Sequence, residues 1–229
     1  MKVHVTKSTS GLHFKTVVVV DVLRSSSTIV TALNNGAEAV IPFTSVSKAL
    51  EARRKSRQST LLAGERKGIT PKGFDYNISP FDMSYKNVYA KKILYTSSNL
   101  TRILGKVRIK HRVLIGGITN ARAVANYLQR RQENAVIVAC GTKLGTAVED
   151  LVGAGAIAAA ITHADFSDDA LAAIGLSRAK EWRDLVRRGR IAKLLIELGF
   201  RRDIEPCLRL NSSKVVPGLV GNEIVDVAR

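Results

Sequence analysis

Val17-Val18-Val19-Val20-Asp21-Val22-Leu23-Arg24-Ser25-Ser26-Ser27-Thr28 is the stretch on which the fold turns. Four consecutive valines favour a strand buried on both faces, the kind found inside parallel sheets. Such a strand carries Asp21 to its carboxyl end, where open α/β sheets bind their ligands. Ser25, Ser26 or Ser27 is suited to cap a following helix, whose free N–H groups and dipole attract anions. A carboxylate, a fixed cation and a helix N-terminus in one short segment suit phosphate chemistry. A plain core strand with an ordinary helix cap has the same pattern, so the rest of the chain must decide.

Outward from this segment, β-rich runs alternate with helical ones, as in βαβ units. Residues 28–35 read as a helix stopped by Gly36, 39–42 as a strand and 46–57 as a basic helix. Leu61-Leu62-Ala63 leads into residues 64–87, a stretch rich in turn formers without a sustained period. Strands follow at 92–95, 112–115 and 135–139. Thr119 or Asn120 is placed to cap a helix containing Ala123, Val124, Tyr127 and Leu128. Residues 148–162, almost wholly Ala, Gly, Ile and Leu after an acidic opening, read as a buried helix close to the sheet. Two or three amphipathic helices fit 167–200, and Val215-Val216 and Ile224-Val225 read as edge strands. The expected architecture is a three-layer α/β fold with a mostly parallel sheet, helices on both faces and a helical C-terminal third. It forms one domain over residues 1–229, with a helical subdomain at about 165–202.

With 229 residues and 45% hydrophobic content, the chain has enough apolar material for a substantial core. No apolar run reaches the ~18 residues of a membrane span, and the N-terminal residues lack the apolar stretch of a signal peptide. Two cysteines, Cys140 and Cys207, are too few for a disulfide scaffold. A reducing cytoplasm is the expected setting. The formal charge of +17 raises the question of nucleic acid. The basic residues are scattered over helical segments, however, and no helix-turn-helix, zinc-finger or aromatic single-strand signature accompanies them. Specific nucleic-acid binding is therefore not expected.

The polar clusters share one property: each follows an expected strand. They are Asp21/Arg24/Ser25, Glu65/Arg66, Ser98/Asn99/Thr101/Arg102, Thr119/Asn120, and Thr142/Lys143 with Glu149/Asp150. In a mostly parallel sheet they meet along one edge. Carboxylates suit Mg²⁺, which prefers oxygen ligands; arginines suit phosphate, carboxylate or sulfonate because the planar fork pairs with two oxygens. Several phosphate-cleaving schemes are excluded. No arginine stands six residues after either cysteine, position 23 is leucine where an Asp-x-Asp nucleophile needs a second aspartate, and no Gly-x₄-Gly-Lys-Ser/Thr loop is present. The four histidines show no metal-ligand spacing.

These residues resemble the 2-phosphosulfolactate phosphatase family. The resemblance begins at Asp21–Thr28 with Ala32-Leu33-Asn34-Asn35-Gly36-Ala37. It continues at Gly64-Glu65-Arg66, Gly73-Phe74-Asp75-Tyr76-Asn77-Ile78-Ser79-Pro80, Thr96–Arg102 and Asn120-Ala121-Arg122. It ends at Glu149-Asp150-Leu151 with Ala154-Gly155-Ala156, while the last third matches only loosely, around residues 203–207 and 216–217. It implies a Mg²⁺-dependent phosphatase releasing phosphate from a small 2-hydroxy-acid ester, 2-phospho-3-sulfolactate, on the way to coenzyme M. Two departures stand out: Asn77-Ile78 where the family has Gly-Asn, and Leu100 where it has glycine between Asn and Thr. Leucine resists positive φ, so Leu100 bears on the backbone near a bound anion.

On this reading Asp21, Arg24, Asn99 and Arg102 are the catalytic set, with Asp21 as metal ligand or nucleophile and the arginines on the transferring phosphoryl group. Ser25, Ser26, Arg66, Ser98, Thr101, Asn120 and Lys143 are expected to contact substrate. Asp21, Glu149, Asp150 and Asp75 are the candidate Mg²⁺ ligands, although acidic residues in a helix's first turn also simply favour its dipole. Metal-activated water and a transient phosphoaspartate are both compatible with these residues. The rival functions are a phosphatase of another small phosphorylated acid and a non-catalytic polyanion or nucleic-acid binder on the same scaffold. Symmetric self-association is the common default for such a chain.

Overall fold

The valine run forms a strand, Thr16–Val20 (β2), that is buried along its whole length. Val18 and Val20 join one hydrophobic cluster and Val17 and Val19 another, so both faces of the strand are covered. This computed structural model describes residues 1–56 and 59–228. Around β2, five parallel strands stand in the order Arg112–Gly116 (β6), β2, Ala135–Ala139 (β7), Lys2–Thr6 (β1) and Asp165–Phe166 (β8). A second parallel block consists of Thr60–Gly64 (β4), Lys92–Thr96 (β5) and Ala39–Pro42 (β3). The alternation of Val3 and Val5 with polar neighbours is the signal for β1, which the sequence reading passed over.

The two blocks are joined by a C-terminal hairpin, Pro217–Val220 (β9) and Glu223–Asp226 (β10), whose tight turn contains Gly221 at φ +60°. Its strands were expected at the sheet edge, with the first at Val215-Val216. They lie instead in the middle of the ten-stranded sheet, β10 beside β3 and β9 beside β6, and the edges are β4 and β8. Burial explains the placement: Ile224 is fully buried, and Gly218 lets the hairpin approach Leu114 and Val227. Two apolar residues per strand are too short a pattern to separate an edge from a centre. Three antiparallel steps separate β3 from β6, so the two blocks run in opposite senses. Side chains from both blocks share the cluster containing Val17, Val113, Ile93 and Tyr95.

Helices cover the sheet on both faces. Ser27–Asn34 (α1) and Leu100–Val107 (α4) fill the shared cluster, with the turn Tyr85–Val88 (α3) contributing Val88. Val46–Lys55 (α2) packs Ala49 against Leu62 and Leu94, and its far end stops at Lys55. Arg57, expected within that helix, lies outside the described residues. On the other side are Ala121–Arg131 (α5), Val148–Ala159 (α6), Asp168–Arg178 (α7), Trp182–Arg188 (α8), Arg190–Glu197 (α9) and Ile204–Cys207 (α10). Their buried residues join Val3, Val18 and Ile137 in one cluster.

The small residues of α6 are explained by proximity. A Cβ at Gly153 would lie 2.6 Å from Val22 Cγ2, and one at Gly155 would lie 1.9 Å from the Ala173 carbonyl oxygen. Helix α6 therefore presses against the turn after β2 on one side and against α7 on the other. Among the described residues, no helix is long and apolar enough to cross a membrane.

Candidate active site

Beyond Val20 the chain passes through Asp21 into a wide helical turn, residues 22–26, in which the Leu23–Arg24 peptide is cis. The serines expected as caps instead brace this turn. The Asp21 N–H donates to Ser26 Oγ at 2.9 Å, and Ser27 Oγ donates to the Val22 carbonyl at 3.0 Å. Asp150, in the first turn of α6, accepts the Val22 N–H at 2.8 Å on one oxygen and the Gly141 N–H at 2.9 Å on the other. It therefore ties the turn after β2 to the turn after β7.

Arg24 is 2% exposed, and its charge is matched inside the protein. Its Nη1 pairs with Asp203, its Nη2 donates to Asn77 Oδ1 at 2.7 Å, and its guanidinium lies 4.3 Å from the centre of the Phe200 ring. Ser79 Oγ donates to the other Asp203 oxygen at 2.7 Å. A buried cation requires such partners, because desolvation would otherwise make the ionised form prohibitive. The C-terminal third thus supplies the counter-charge to the first signature motif.

A pocket of about 160 Å³ opens beside this turn, lined by Asp21, Arg24, Ser25, Glu65, Lys67, Gly68, Ile78, Ser98, Asn99 and Thr142, with Ile191, Leu194 and Leu195 of α9 across from them. Glu65 fixes the opposite wall. It accepts the Ser98 N–H at 2.5 Å on one oxygen, and the Ser98 hydroxyl at 3.0 Å and the Gly68 N–H at 2.9 Å on the other. The site therefore lies where the turns following β2, β4, β5 and β7 meet. The sheet is mostly parallel, as expected, but the polar turns that meet here come from two parallel blocks of opposite sense rather than from one edge of a single block.

Burial is the main cause of the carboxylate shifts here. It pushes Asp21 up to about 6; Ser25 and the Leu100 N–H oppose the rise, and the Glu65 charge adds to it. Burial likewise lifts Glu149 to about 7, with the Asp21 charge adding and Arg190 opposing. Asp150 is raised by burial and by the Glu149 and Asp21 charges. Tyr95 is buried beside Ser25, near enough to feel the Asp21 and Glu65 charges.

These oxygen donors suit a hard cation. Mg²⁺ is usually held through one or two carboxylates and keeps several waters. Asp21 and Glu149 fit that role: both are buried and repel one another, and among the described residues neither forms a salt bridge. Among the described residues, no three His, Cys, Asp or Glu side chains converge as a ready-made metal cage.

Outside the pocket lies a cleft of about 850 Å³ with Arg66, Lys67, Arg102, Lys143 and Arg190 on its walls, together with Ser98, Asn99, Leu144, Ile191 and Leu194. The two cavities share Lys67, Ser98, Asn99, Thr142, Ile191 and Leu194.

Of the residues expected at the site, Asp21, Arg24, Ser25, Ser98 and Asn99 line the inner pocket, while Arg66, Arg102 and Lys143 line the outer cleft. Ser26 is fully buried in the turn. Thr101 is turned inward, donating to the Ser97 carbonyl at 2.7 Å. Asn120 is buried: it accepts the Gly117 N–H at 3.0 Å and donates to the Val215 carbonyl at 3.1 Å, so it anchors the segment leading to the central hairpin. Asp75 lies elsewhere, accepting the Leu62 N–H at 2.7 Å and Arg53 Nη1 at 3.1 Å in a separate surface cavity. The two departures from the family pattern are absorbed: Leu100 buries its side chain at the first helical position of α4, and Ile78 lines the pocket.

Sequence reasoning missed Asp203, Lys67 and the whole α9 wall. For Asp203, the short match at Asp203-Ile204-Glu205-Pro206-Cys207 was the available signal. The Ile191/Leu194/Leu195 stripe gave no distinguishing signal, because it has the spacing of an ordinary core face.

Residues 3–222 match the family described as 2-phosphosulpholactate phosphatase. The chain is 38% identical over 206 residues to a Carboxydothermus hydrogenoformans protein, covering 89% of this chain and 85% of that one. It is 36% identical over 218 residues to one from Thermotoga maritima, covering 94% of each. It is 37% identical over 211 residues to one from Caldanaerobacter subterraneus, covering 90% and 88%. All three carry the name "Probable 2-phosphosulfolactate phosphatase".

Proposed function

The chain belongs to the 2-phosphosulpholactate phosphatase family, and on that premise we propose that it hydrolyses the phosphate ester of a small 2-hydroxy acid, 2-phospho-3-sulfolactate, with Mg²⁺ as cofactor. The observation that carries the reading is the convergence on Asp21: a buried carboxylate facing the Leu100 N–H at the start of α4, beside Ser25, with a cationic cleft outside it. A phosphoryl group fits this arrangement, because helix-start N–H groups and hydroxyls donate to its oxygens while the cations draw it in.

Asp21 and Glu149 are the residues that would hold Mg²⁺, with Asp150 keeping the neighbouring turns in place. A bound Mg²⁺ would supply charge neutralisation for the phosphoryl oxygens and lower the pKa of a coordinated water. With its pKa near 6, Asp21 is ionised at neutral pH and available to attack phosphorus or to orient the attacking water. In the first route an Asp21 oxygen bonds to phosphorus as the ester oxygen leaves and takes up a proton. Water then cleaves the acyl phosphate, and Asp21 is regenerated. In the second route water attacks phosphorus directly as the ester oxygen leaves; the water's proton passes to Asp21, and the leaving oxygen takes up a proton. Asn99 faces the same pocket and is suited to hold the phosphoryl oxygens, while Ser98 gives both its N–H and its hydroxyl to Glu65 and fixes the pocket wall.

The test is phosphate release from 2-phospho-3-sulfolactate, 2-phospholactate and 2-phosphoglycolate, with Mg²⁺ and with EDTA. The reading predicts Mg²⁺-dependent turnover that is fastest with the sulfonated acid. Preference for 2-phosphoglycolate would transfer the activity to another small phosphorylated acid. No release from any of the three would leave a polyanion binder. Trapping with fluoroberyllate separates the covalent route from direct attack by water.

A further inference from the structure

The outer cleft carries five cations and not one carboxylate on its walls. Its volume of about 850 Å³ is several times the 160 Å³ of the phosphoryl pocket, and it lies within the ~300–1,000 Å³ typical of small-molecule sites. The cations differ in how free they are. Arg66 donates to the Glu65 and Thr44 carbonyls and to Thr96 Oγ1. Lys143 stands exposed at the tip of the turn closed by the Thr142–Gly145 pair, and Arg102 is exposed on α4.

Arg190 differs from the others in being both anchored and available. It opens α9 directly after Gly189, where a Cβ would come within 3.6 Å of Glu149 Oε2. Its charge acts on Glu149, and its Nη2 donates to Thr142 Oγ1 at 2.6 Å. Thr142 belongs to both cavities, so the guanidinium is held at their boundary. The rest of its planar fork is free of protein partners among the described residues.

Resting on the phosphatase reading above, we propose that Arg190 is a specificity-determining residue. It binds an acid group of the substrate other than the phosphate, its carboxylate or its sulfonate, with Lys143 adding charge from the same turn as Thr142. A guanidinium suits this task because it pairs with two oxygens of a planar or tetrahedral acid at once. The assignment also gives the C-terminal helices a role: α9 closes the site from above and brings the selecting cation with it.

The test measures binding and turnover in the same protein. Calorimetric titration of 3-sulfolactate, which has both acids and no phosphate, is compared with titration of inorganic phosphate. For Arg190→Met the 3-sulfolactate Kd is expected to rise about tenfold or more relative to the phosphate Kd. Arg190→Lys is expected to recover part of the loss, and Lys143→Met to shift the ratio in the same direction by a smaller factor. In turnover, kcat/KM for 2-phospho-3-sulfolactate relative to phenyl phosphate falls by a matching factor. A ratio within twofold of the starting protein in both Arg190→Met and Lys143→Met overturns the proposal. Should Arg190→Met not fold, Arg190→Lys and Lys143→Met decide by the same ratio. A chain that hydrolyses none of the phosphoesters would defeat the phosphatase reading alone, since the titration still measures how Arg190 handles the diacid.

Discussion

The inner pocket and the outer cleft share walls yet are built in opposite ways. Around the inner pocket the framing groups are tied to other parts of the chain: Asp150 to two turns, Glu65 to the Ser98 turn, Arg24 to Asp203 and Asn77. Outside, cations project with few partners and no opposing carboxylate. Fixed groups are what a reacting centre needs, because they cost no reorganisation at the moment of reaction. Free cations attract and sort whatever anion arrives. The expectation that follows is that inner substitutions alter rate or folding, while outer ones alter affinity.

Replacing Asp21, the carboxylate proposed to react, is the harshest test. Asp21→Asn should lower phosphate release on the order of 10³-fold or more, with the fold retained because the amide is isosteric and its removed charge was an unfavourable buried one. Measurement of kcat beside a urea unfolding curve checks both halves. A variant that keeps more than a tenth of the original rate would remove Asp21 from the chemistry.

Asp203→Ala attacks the frame of the pocket. It strands the Arg24 guanidinium, both partners being almost fully buried, and Ser79 loses its acceptor. Breaking a buried pair by removing one member typically costs about 3–5 kcal/mol, so the unfolding midpoint should fall sharply. A loss below about 1 kcal/mol would mean that water reaches Arg24 and the frame is looser than described.

Acidity offers a graded version of the same comparison. Asp21 and Glu149 have folded-state pKa values near 6 and 7, raised from ordinary values of 3.8 and 4.5. The folded chain therefore keeps protons that the unfolded chain releases between about pH 4 and pH 7. Stability from these groups is present below the ordinary values and falls as pH rises through the folded ones, by on the order of 3 kcal/mol for Glu149. Urea midpoints should drop from pH 5 to pH 8, Glu149→Gln should flatten the slope, and added Mg²⁺ should restore stability at pH 8. Glu133 acts in a different window. Burial alone would raise it, but hydrogen bonds from Thr16 and Arg112 hold it at about 2, so its contribution is lost only on acidification below its ordinary value of 4.5.

The inner region was largely legible in the sequence and the outer one only partly so. Four valines, a carboxylate and a serine run specify a local structure, a strand and a turn, and local periodicity carries that information. Ser98 and Asn99 were legible for the same reason, since each follows a strand. Asp203 and Arg190 come from the far end of the chain, and their meeting with Arg24 and Thr142 depends on how the C-terminal helices fold back. No spacing rule encodes that contact. Asn120 and Thr101 have the residue types of anion contacts, but in this fold they satisfy backbone groups that would otherwise be buried unpaired. The central hairpin escaped for a further reason: the sequence shows that a segment is β-like but not which strands will open to admit it.

The smallest effect expected is on stability in the outer cleft. The Lys67 ammonium has no ion-pair partner among the described residues, and its removal trims a formal charge of +17. Lys67→Gln should therefore leave unfolding free energy within about 0.5 kcal/mol. Its effect belongs to binding: the inhibition constant for inorganic phosphate should rise a few-fold at low salt. That difference should close near 1 M salt, where the screening length falls to about 3 Å. A phosphate effect that persists unchanged at high salt would mean that Lys67 makes a buried, direct contact. The boundary between fixed interior and attracting exterior would then have to be drawn outside it.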